Sequence, residues 1–538
     1  MGRVLTRIEE VHSASRAAWL WAAVLWVTVA SCHEEAAQRR PNILLISLDS
    51  VRADTLSFDD AVATPHLAGL AQRGTVFRQA ISGTSWTLPA HLQMMTGSPP
   101  LVHGVESADV IADPEGPLLA ERLSADGYRT LGFYTGGYLS PSFGFARGFD
   151  RYVAVGPEDA VSSSGEGPEA LVAGAISSGL VAAEVDQLLH GLGDETPLFL
   201  FLHLYDPHYD YVPPPPWDQH FDPDYAGSMD GRNFYYNLDI WDESLSPPRR
   251  VNDRDLEHIV ALYRGEVSWT DQNIGRVLEA LERVGRLEDT LVIVTADHGE
   301  EFFEHEGRGH RHTLFDELIH VPLLIVPPGG GAPRSVEQQV SLSDIAPTIL
   351  DFAGGAAPPS MYGRSLRAAL NGDAIAARPV VSSLYRASVN RRGDVFHRMT
   401  QSVRTEDWKL IRTLIVSPNG KLRVPEAVWF DLRADPAERV GVDDPEDPRL
   451  VQAWELFERE TAALRAHWEA QAHAPDESRV TDARQELQAQ LRALGYVDPD
   501  EGLEGHAILA RPWGLAPVPA VGLDQVAASR QRAAGRNR

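Results

Sequence analysis

Short, continuous apolar runs alternate with stretches of helical periodicity along most of the chain. The runs predict strands at residues 42–48, 75–82, 128–135, 197–204, 290–296 and 321–327. Helices are predicted at 117–125, 170–191 and 253–284, and Thr64-Pro65 is typical of another helix start. Strands that alternate with helices in this way predict an α/β fold, with a mostly parallel central sheet sandwiched by helices.

The pattern changes after about residue 375, and this change divides the chain. Residues 42–375 form the predicted main domain, and 376–497 form a smaller α+β C-terminal subdomain with short strands and a charged helix near 448–473. Residues 33–41 read as a polar tether. Residues 498–538 are rich in Gly, Pro and Ala and are predicted to be a flexible tail.

Charge restricts the classes of partner. The 538 residues include 48 Lys and Arg against 76 Asp and Glu, a formal net charge of −28. Nucleic-acid binding needs clustered positive charge, so the composition predicts no nucleic-acid partner. Such a chain offers no long-range attraction to anions, and any anion site must therefore be local.

The N-terminal segment has the features of an export signal. Arg3, Arg7 and Arg16 precede an apolar run at 17–30 that is short for a membrane span. The run ends in Val29-Ala30-Ser31-Cys32, which resembles a bacterial lipobox. We predict that 1–32 is a signal peptide whose Cys32 is lipidated, giving an extracytoplasmic, membrane-anchored lipoprotein in the periplasm or at the cell surface. The alternative is an uncleaved membrane anchor. Since Cys32 is the only cysteine, disulfides within the chain are excluded.

Polar residues follow several of the predicted strands. Asp49 and Asp297-His298 come directly after buried strands, and His203, Asp206 and His208 lie at the end of another. Ligands of open α/β sheets bind beyond the carboxyl ends of the strands, so these groups are expected to converge on one site. Carboxylate and imidazole side chains placed there can reach a single metal ion.

The segment from Gly83 to Gly97 predicts a helix that presents a hydroxyl group. Pro89 suits the first turn, Gly97 suits the stop, and Thr87 would then be the N-cap. A helix-capping role alone would explain why a threonine stands at position 87. Free N–H groups and the positive dipole end also favour an anionic ester, and a metal ion would acidify the hydroxyl as a nucleophile.

Four segments identify a family resemblance. They resemble the sulfatase family of the alkaline phosphatase superfamily and occur in this order: RPNILLISLDSVRADTLS, TSWTLPAHLQMMTG, FLHLYDPHYDYVPP and VTADHGEEFFEHEGRGHRHTLFDELIHVPLL. The segment SLSDIAPTILDFAG also resembles the family, and the pieces WKLIRT, WFDLRADPAE and LRALGYV are similar to its C-terminal subdomain. The resemblance therefore covers about residues 42–497 and makes 42–375 a sulfatase-like catalytic domain. It implies a divalent metal ion (Ca, Mn, Mg or Zn) bound by Asp49, Asp297 and His298, with Thr87 also at the metal.

The same resemblance implies roles for further residues. His208 resembles the histidine that contacts the substrate anion or leaving group. His310 falls where the family places a substrate-binding Lys or His, and Arg311 is the alternative. His91 replaces the Arg of the family's C-x-P-x-R signature and is a catalytic candidate. His203, Asp206 and His310 could contribute to a second metal site, although their spacing does not match one well.

Two departures from the family pattern affect the chemistry. Thr87 occupies the place of the Cys or Ser that family enzymes oxidise to formylglycine, and threonine cannot undergo that conversion. Ser50 stands where many sulfatases have a second acidic ligand. Threonine is the nucleophile in related phosphodiesterases and phosphoethanolamine transferases. By contrast, the acidic residues Glu300, Glu301, Glu304 and Glu306 are expected to form a solvated loop.

The resulting functional prediction is a metal-dependent hydrolase or group transferase that acts through Thr87 on phosphate, phosphonate or sulfate esters. The substrate would be an anionic ester, of a glycan or of a lipid head group. One alternative is a sulfuric ester hydrolase that works without formylglycine. Another is an inactive relative that binds anionic glycans at the surface.

Overall fold

The computed structural model describes most of the chain between residues 40 and 471. The described ranges are 40–106, 117–156, 177–193, 195–235, 237–242, 249–389, 394–418, 422–444 and 446–471. Several parts of the chain lie outside these ranges: the predicted signal peptide with Cys32, nearly all of the predicted tether, residues 472–497 and the predicted tail. Among the described residues, none of the helices combines the length and apolar character needed to cross a membrane.

The secondary structure follows the predicted alternation. The helices are α1 Pro65–Ala71, α2 Thr87–Thr96, α3 Pro100–His103, α4 Leu119–Ala125, α5 Ser177–His190, α6 Trp217–His220, α7 Asp253–Arg283, α8 Asp316–Ile319, α9 Ile345–Phe352, α10 Arg367–Leu370 and α11 Pro448–Gln471. The strands up to the middle of the chain are β1 Asn42–Leu48, β2 Thr75–Ile81, β3 Arg129–Tyr134, β4 Arg151–Ala154, β5 Leu198–Leu204, β6 Trp241–Asp242, β7 Arg249–Arg250 and β8 Thr290–Ala296. The later strands are β9 Glu301–Phe302, β10 Arg308–Gly309, β11 His320–Val326, β12 Arg334–Val336, β13 Val340–Ser341, β14 Val380–Val389, β15 Val395–Arg404, β16 Trp408–Val416 and β17 Leu422–Asp431.

In the part of the chain that the structure describes, the central sheet has nine strands, in the order β12-β2-β11-β8-β1-β5-β3-β4, with β13 also paired to β2. All neighbours are parallel except β11, which is antiparallel to both β2 and β8. Every residue of β1, β5 and β8 is buried. Strands covered on both faces require continuous apolar runs, which is why these strands were readable in the sequence. The predicted fold class is confirmed.

The register of the central strands aligns their carboxyl ends. Leu48 at the end of β1 pairs with Leu204 of β5 on one side and with Ala296 of β8 on the other. Asp49 and Asp297 therefore leave the sheet at the same edge. The fold places the polar residues that follow β1, β5 and β8 side by side.

Two details of the helices differ from the prediction. Thr64 makes no side-chain cap for α1; its hydroxyl donates instead to the Asp60 carbonyl oxygen at 3.2 Å. Helix α5 begins its described part at Ser177, and residues 170–176 lie outside the described ranges. The long helix α7 agrees with its apolar stripe, since Ile259, Val267 and Ile274 are all buried.

A second sheet follows the first in the chain. Strands β14 to β17 form a four-stranded antiparallel sheet in sequence order. Its first strand docks on the loop before α2: Ser383 N donates to the Gly83 carbonyl oxygen at 2.8 Å, and Ser382 Oγ donates to the Ser82 carbonyl oxygen at 2.7 Å. The C-terminal sheet thus supports the segment that leads into Thr87. The boundary at residue 375 stays a prediction.

Candidate active site

Thr87 opens helix α2. Trp86, with extended backbone angles, is the N-cap, so the prediction that Thr87 is the cap is wrong by one residue. As the first helical residue, Thr87 has a backbone N–H without an intrahelical acceptor, and its side chain lies at the positive end of the helix. The Thr87 hydroxyl lies 3.3 Å from His298 Nε2. Gly97, with φ of 66°, ends the helix as predicted.

Two carboxylates and an imidazole surround this hydroxyl. Asp49, Asp297 and His298 are fully buried. His298 Nε2 lies 3.6 Å from Asp49 Oδ1 and 3.4 Å from Asp297 Oδ2. Asp297 Oδ1 accepts hydrogen bonds from Ser50 N and His298 N, whereas Oδ2 is buried without a hydrogen-bond partner among the described residues. The structure therefore brings Asp49, Thr87, Asp297 and His298 around one point.

Electrostatics favour a cation at this point. Burial and the charge of Asp49 raise the pKa of Asp297 well above its usual range. Burial also opposes ionisation of Asp49, but the His203 hydrogen bond and the nearby imidazoles outweigh it and lower the pKa of Asp49. Two buried carboxylates repel each other, and a divalent cation between them would offset that repulsion. Carboxylate, imidazole and hydroxyl donors suit Ca, Mg, Mn or Zn.

Ser50 positions both carboxylates. Its hydroxyl donates to Asp49 Oδ1 at 2.9 Å, and its N–H donates to Asp297 Oδ1 at 3.2 Å. The Ser50 backbone has φ of 59°, a left-handed conformation that is uncommon for a residue with a side chain. Ser50 therefore orients the carboxylates of Asp49 and Asp297 by hydrogen bonds.

Two further imidazoles lie behind the carboxylates. His203 Nε2 is 3.1 Å from Asp49 Oδ2, and the rings of His91 and His203 are 4.9 Å apart. His91 Nδ1 donates to the Thr87 carbonyl oxygen at 2.8 Å and lies 3.5 Å from Asp297 Oδ2. His91 and His203 are both fully buried. His91 thus links the first turn of α2 to the carboxylate cluster.

Asp206 does not join this cluster, although the sequence groups it with His203. Its carboxylate accepts from Ser177 Oγ at 2.8 Å, from Ser178 N at 2.7 Å and from Trp269 Nε1 at 3.2 Å. Asp206 therefore ties the start of α5 to α7. The structure gives it a packing role rather than a place at the site.

His208 and His310 lie beside His298. The His310 ring centroid is 4.5 Å from that of His298 and 4.9 Å from that of His208. Burial lowers the pKa of His208 to about 4, and burial together with His298 lowers the pKa of His310. Both imidazoles are therefore neutral near pH 7. The single N–H of neutral His208 lies on Nδ1, which donates to the Tyr209 carbonyl oxygen at 2.6 Å, so its Nε2 can accept a proton but not donate one.

Arg311 approaches the site from the side of Trp86. Its guanidinium lies 4.1 Å from the centre of the buried Trp86 ring and donates to Tyr138 Oη at 3.0 Å. Its backbone N–H donates to the Ser85 carbonyl oxygen at 2.9 Å. The guanidinium is therefore held next to the residues that precede Thr87.

The acidic residues that follow Asp297 do not all lie in a solvated loop, contrary to the prediction. Glu300 and Glu301 are fully buried, whereas Glu304 and Glu306 are exposed. Glu300 Oε1 lies 3.1 Å from His310 Nδ1, and burial raises the pKa of Glu300 to about 7. Glu301 contacts His312 Nε2 at 2.6 Å. Sequence reasoning missed Glu300 as a partner of His310; the alternation of Glu and His over 300–312 was the available signal.

The doubly covered sheet, with a buried carboxylate and imidazole cluster at its carboxyl edge, defines an alkaline-phosphatase-like fold. The sequence profile of the Sulfatase family matches residues 41–356, more than half of the chain. A second profile, described as N-sulphoglucosamine sulphohydrolase, C-terminal, matches residues 304–463. The chain belongs to the sulfatase family of the alkaline phosphatase superfamily.

Known proteins agree with this assignment. Arylsulfatase K of Mus musculus is 32% identical over 36% of this chain, and the matched part is 34% of that protein. The chain therefore spans about a third of the length of this relative. Phosphonate monoester hydrolase of Agrobacterium radiobacter has a TM-score of 0.61 at 23% identity, with 80% of this chain and 96% of that chain covered. A protein solved with its substrate D-glucosamine-2-N,6-O-disulfate has a TM-score of 0.62 at 18% identity, with 81% and 99% covered. At these identities the two structures show the shared fold.

Proposed function

We propose that the chain is a metal-dependent hydrolase of anionic esters and that Thr87 is its nucleophile. The single observation that supports this most strongly is the position of the Thr87 hydroxyl, 3.3 Å from His298 within the buried carboxylate cluster. Asp49, Asp297, His298 and Thr87 would hold the metal ion. When bound, such an ion polarises the ester and lowers the pKa of a hydroxyl group.

The residues of the chain have distinct proposed tasks. Thr87 Oγ1 forms a bond to the central atom of the ester as the bond to the alcohol oxygen breaks. The free N–H groups at the start of α2 stabilise the anionic group. The hydroxyl proton of Thr87 must leave, and the departing alcohol oxygen must gain a proton. His208 or His310, neutral near pH 7, is the proposed group that accepts the first proton and delivers it to the alcohol. Arg311 and His310 hold the negative charge of the substrate, and Glu300 orients His310 at 3.1 Å.

The side chain of Thr87 favours phosphorus over sulfur as the central atom. In formylglycine enzymes the hydrated aldehyde has a second hydroxyl that expels sulfate from the covalent intermediate. Threonine has one hydroxyl, so sulfated Thr87 has no such exit. A phosphorylated or phosphonylated threonine can be attacked at phosphorus by water or an acceptor alcohol. We therefore propose phosphate or phosphonate esters as the preferred substrates.

Sulfate esters are the second candidate. The family profile and the similarity to arylsulfatase K support them. A complex of one structural neighbour with a disulfated glucosamine supports a glycan as the alcohol half of the substrate. In this version, Thr87 serves as a metal ligand and sulfate leaves without formylglycine.

A substrate panel tests the proposal. Purified protein would be assayed on matched 4-nitrophenyl esters, namely a phosphate, a phenylphosphonate, a phosphodiester and a sulfate, with Ca²⁺, Mg²⁺, Mn²⁺ or Zn²⁺. We expect turnover with at least one metal and a larger kcat/KM for a phosphorus ester than for the sulfate. A larger kcat/KM for the sulfate would favour the second candidate. No turnover of any ester with any metal would contradict the proposed hydrolase and favour a binding role.

The location of the protein is a separate proposal. We infer from the lipobox-like sequence that Cys32 carries a lipid anchor outside the cytoplasm. Cys32→Ala should move the protein in an expressing bacterium from detergent-extracted membranes to soluble or uncleaved fractions. Mass spectrometry of the N-terminus is the second readout. An unchanged distribution, with residues 1–31 still attached to the wild-type protein, would contradict lipidation.

A further inference from the structure

The hydroxyl group of Tyr263 lies against the turn that follows β1. Tyr263 belongs to the long helix α7 and is fully buried. Its Oη donates to the Ser50 carbonyl oxygen at 2.9 Å and accepts from Arg52 N at 3.1 Å. A phenol oxygen carries one hydrogen to donate and can also accept, so both of its capacities are used. The backbone at residues 50–52 is therefore held by a side chain from a distant part of the chain.

The same turn aligns the two carboxylates of the cluster. Ser50 N donates to Asp297 Oδ1 at 3.2 Å, and Ser50 Oγ donates to Asp49 Oδ1 at 2.9 Å. Both bonds start from a residue whose backbone is left-handed, with φ of 59°. A residue with a side chain keeps such a conformation only where its surroundings fix it. The Tyr263 hydroxyl supplies this restraint on the carbonyl side of Ser50.

Aromatic packing fixes the Tyr263 ring. Its centroid lies 5.5 Å from that of Tyr211 and 5.1 Å from that of Phe302, and all three rings are buried. Aromatic pairs at these distances attract each other beyond the effect of burial alone. The ring also extends from a helix of 31 residues. The hydroxyl is therefore a rigid point against which the turn is set.

The side chain of Arg52 anchors the same turn independently of Tyr263. Its Nη1 donates to the Glu300 carbonyl oxygen at 3.1 Å and lies 2.6 Å from Glu304 Oε1. Its Nε and Nη2 donate to the two carboxylate oxygens of Asp54 at 2.8 and 2.7 Å. We therefore expect the turn to stay attached when the Tyr263 hydroxyl is removed. Only the orientation of the Ser50 backbone loses a restraint.

We propose that Tyr263 is a positioning residue for the metal ion. Its hydroxyl fixes the turn at Ser50 and, through the two hydrogen bonds of Ser50, the placement of the Asp49 and Asp297 carboxylates. Tyr263 acts through Ser50 and is not itself a proposed ligand. Groups that orient metal ligands through hydrogen bonds typically contribute a factor of roughly 10 to 100 in metal affinity. The inference rests on the proposed function for the place of the metal ion.

A conservative substitution tests this role. Tyr263→Phe removes the hydroxyl and keeps the ring. Tyr152→Phe is the control, because Tyr152 Oη also donates to a backbone carbonyl oxygen, that of Leu139, at 2.9 Å. Tyr152 belongs to β4, which lies three strands away from β1 in the sheet. The metal-free proteins would be titrated with Mn²⁺, with free Mn²⁺ measured by electron paramagnetic resonance at a temperature where every variant is folded. We expect a Kd about tenfold to a hundredfold larger for Tyr263→Phe and a wild-type Kd for the control.

A double-mutant cycle tests whether Tyr263 acts through Ser50. Ser50→Ala removes the hydrogen bond to Asp49 Oδ1 and should also raise the Kd for Mn²⁺. Residues that act through one network have effects that are not additive in free energy. The Tyr263→Phe/Ser50→Ala variant should therefore lose less affinity than the product of the two single fold-changes.

The outcomes separate the positioning role from the proposed function. An unchanged Kd in Tyr263→Phe, even with a lower melting temperature, would show a merely structural tyrosine and overturn the inference. An equal loss in Tyr152→Phe, or fold-changes that simply multiply in the double variant, would overturn it as well. In these cases the wild-type protein would still bind Mn²⁺, and the proposed hydrolase would stand. A wild-type protein that binds neither Mn²⁺ nor Ca²⁺, Mg²⁺ or Zn²⁺ would contradict both the positioning role and the proposed metal site.

Discussion

Thr87→Val should abolish nearly all turnover, with a fall in kcat/KM of roughly 10³- to 10⁶-fold. Valine keeps the shape of threonine and replaces only the hydroxyl by a methyl group. The hydroxyl is the group that lies 3.3 Å from His298 Nε2, so its loss removes the proposed nucleophile without opening a cavity. The measurement is steady-state kinetics on the best ester of the panel, with bound metal quantified in parallel.

Thr96→Val provides the matched control. Thr96 ends the same helix, and its hydroxyl donates to the Leu92 carbonyl oxygen at 2.7 Å, away from the cluster. This variant makes the same chemical change in α2 and should keep turnover near the wild-type value. Undiminished activity in Thr87→Val would show that another group attacks the ester.

Asp297→Asn should remove the metal ion, with an expected loss of affinity greater than about a hundredfold. The substitution keeps the shape of the side chain and removes one negative charge. Asp297 Oδ2 is the buried oxygen without a hydrogen-bond partner among the described residues, and it lies 3.4 Å from His298 Nε2. Elemental analysis after dialysis, and titration of the metal-free protein with Mn²⁺ or Zn²⁺, measure the loss.

Asp206→Asn is the control for this variant. Asp206 is also a buried aspartate near the end of a central strand, but it bonds to Ser177, Ser178 and Trp269. It should keep the wild-type metal content even if its melting temperature falls. Full metal occupancy in Asp297→Asn, or equal losses in both variants, would contradict the assigned cluster.

The sequence predicted the fold well because the signals were local. Strands β1, β5 and β8 are buried on both faces, so their apolar runs could be read directly. The antiparallel direction of β11 could not be read, because a buried strand has the same composition in either direction. The exact start of α2 was missed because Trp86 caps the helix through its backbone, whereas the prediction used the side-chain preference for threonine.

The site was predictable only in part. The order of Asp49, Thr87, Asp297 and His298 carried a family resemblance, and the structure brings them together. The roles of Ser50 and Glu300 depend on contacts between residues far apart or on local backbone angles, which composition does not reveal. For Asp206, the sequence suggested a place at the site that the structure does not give it. It shares a strand end with His203, but its carboxylate points to α5 and α7.

The stereochemical course at the transferred atom tests the central role of Thr87 most directly. The phosphodiester or the phenylphosphonate ester of the panel would be made chiral at phosphorus with oxygen isotopes, because its product carries three oxygens that the isotopes can distinguish. Attack by Thr87 followed by attack of water involves two inversions, so the account predicts net retention of configuration. Net inversion would show that water attacks the ester directly, and it would contradict a covalent intermediate on Thr87.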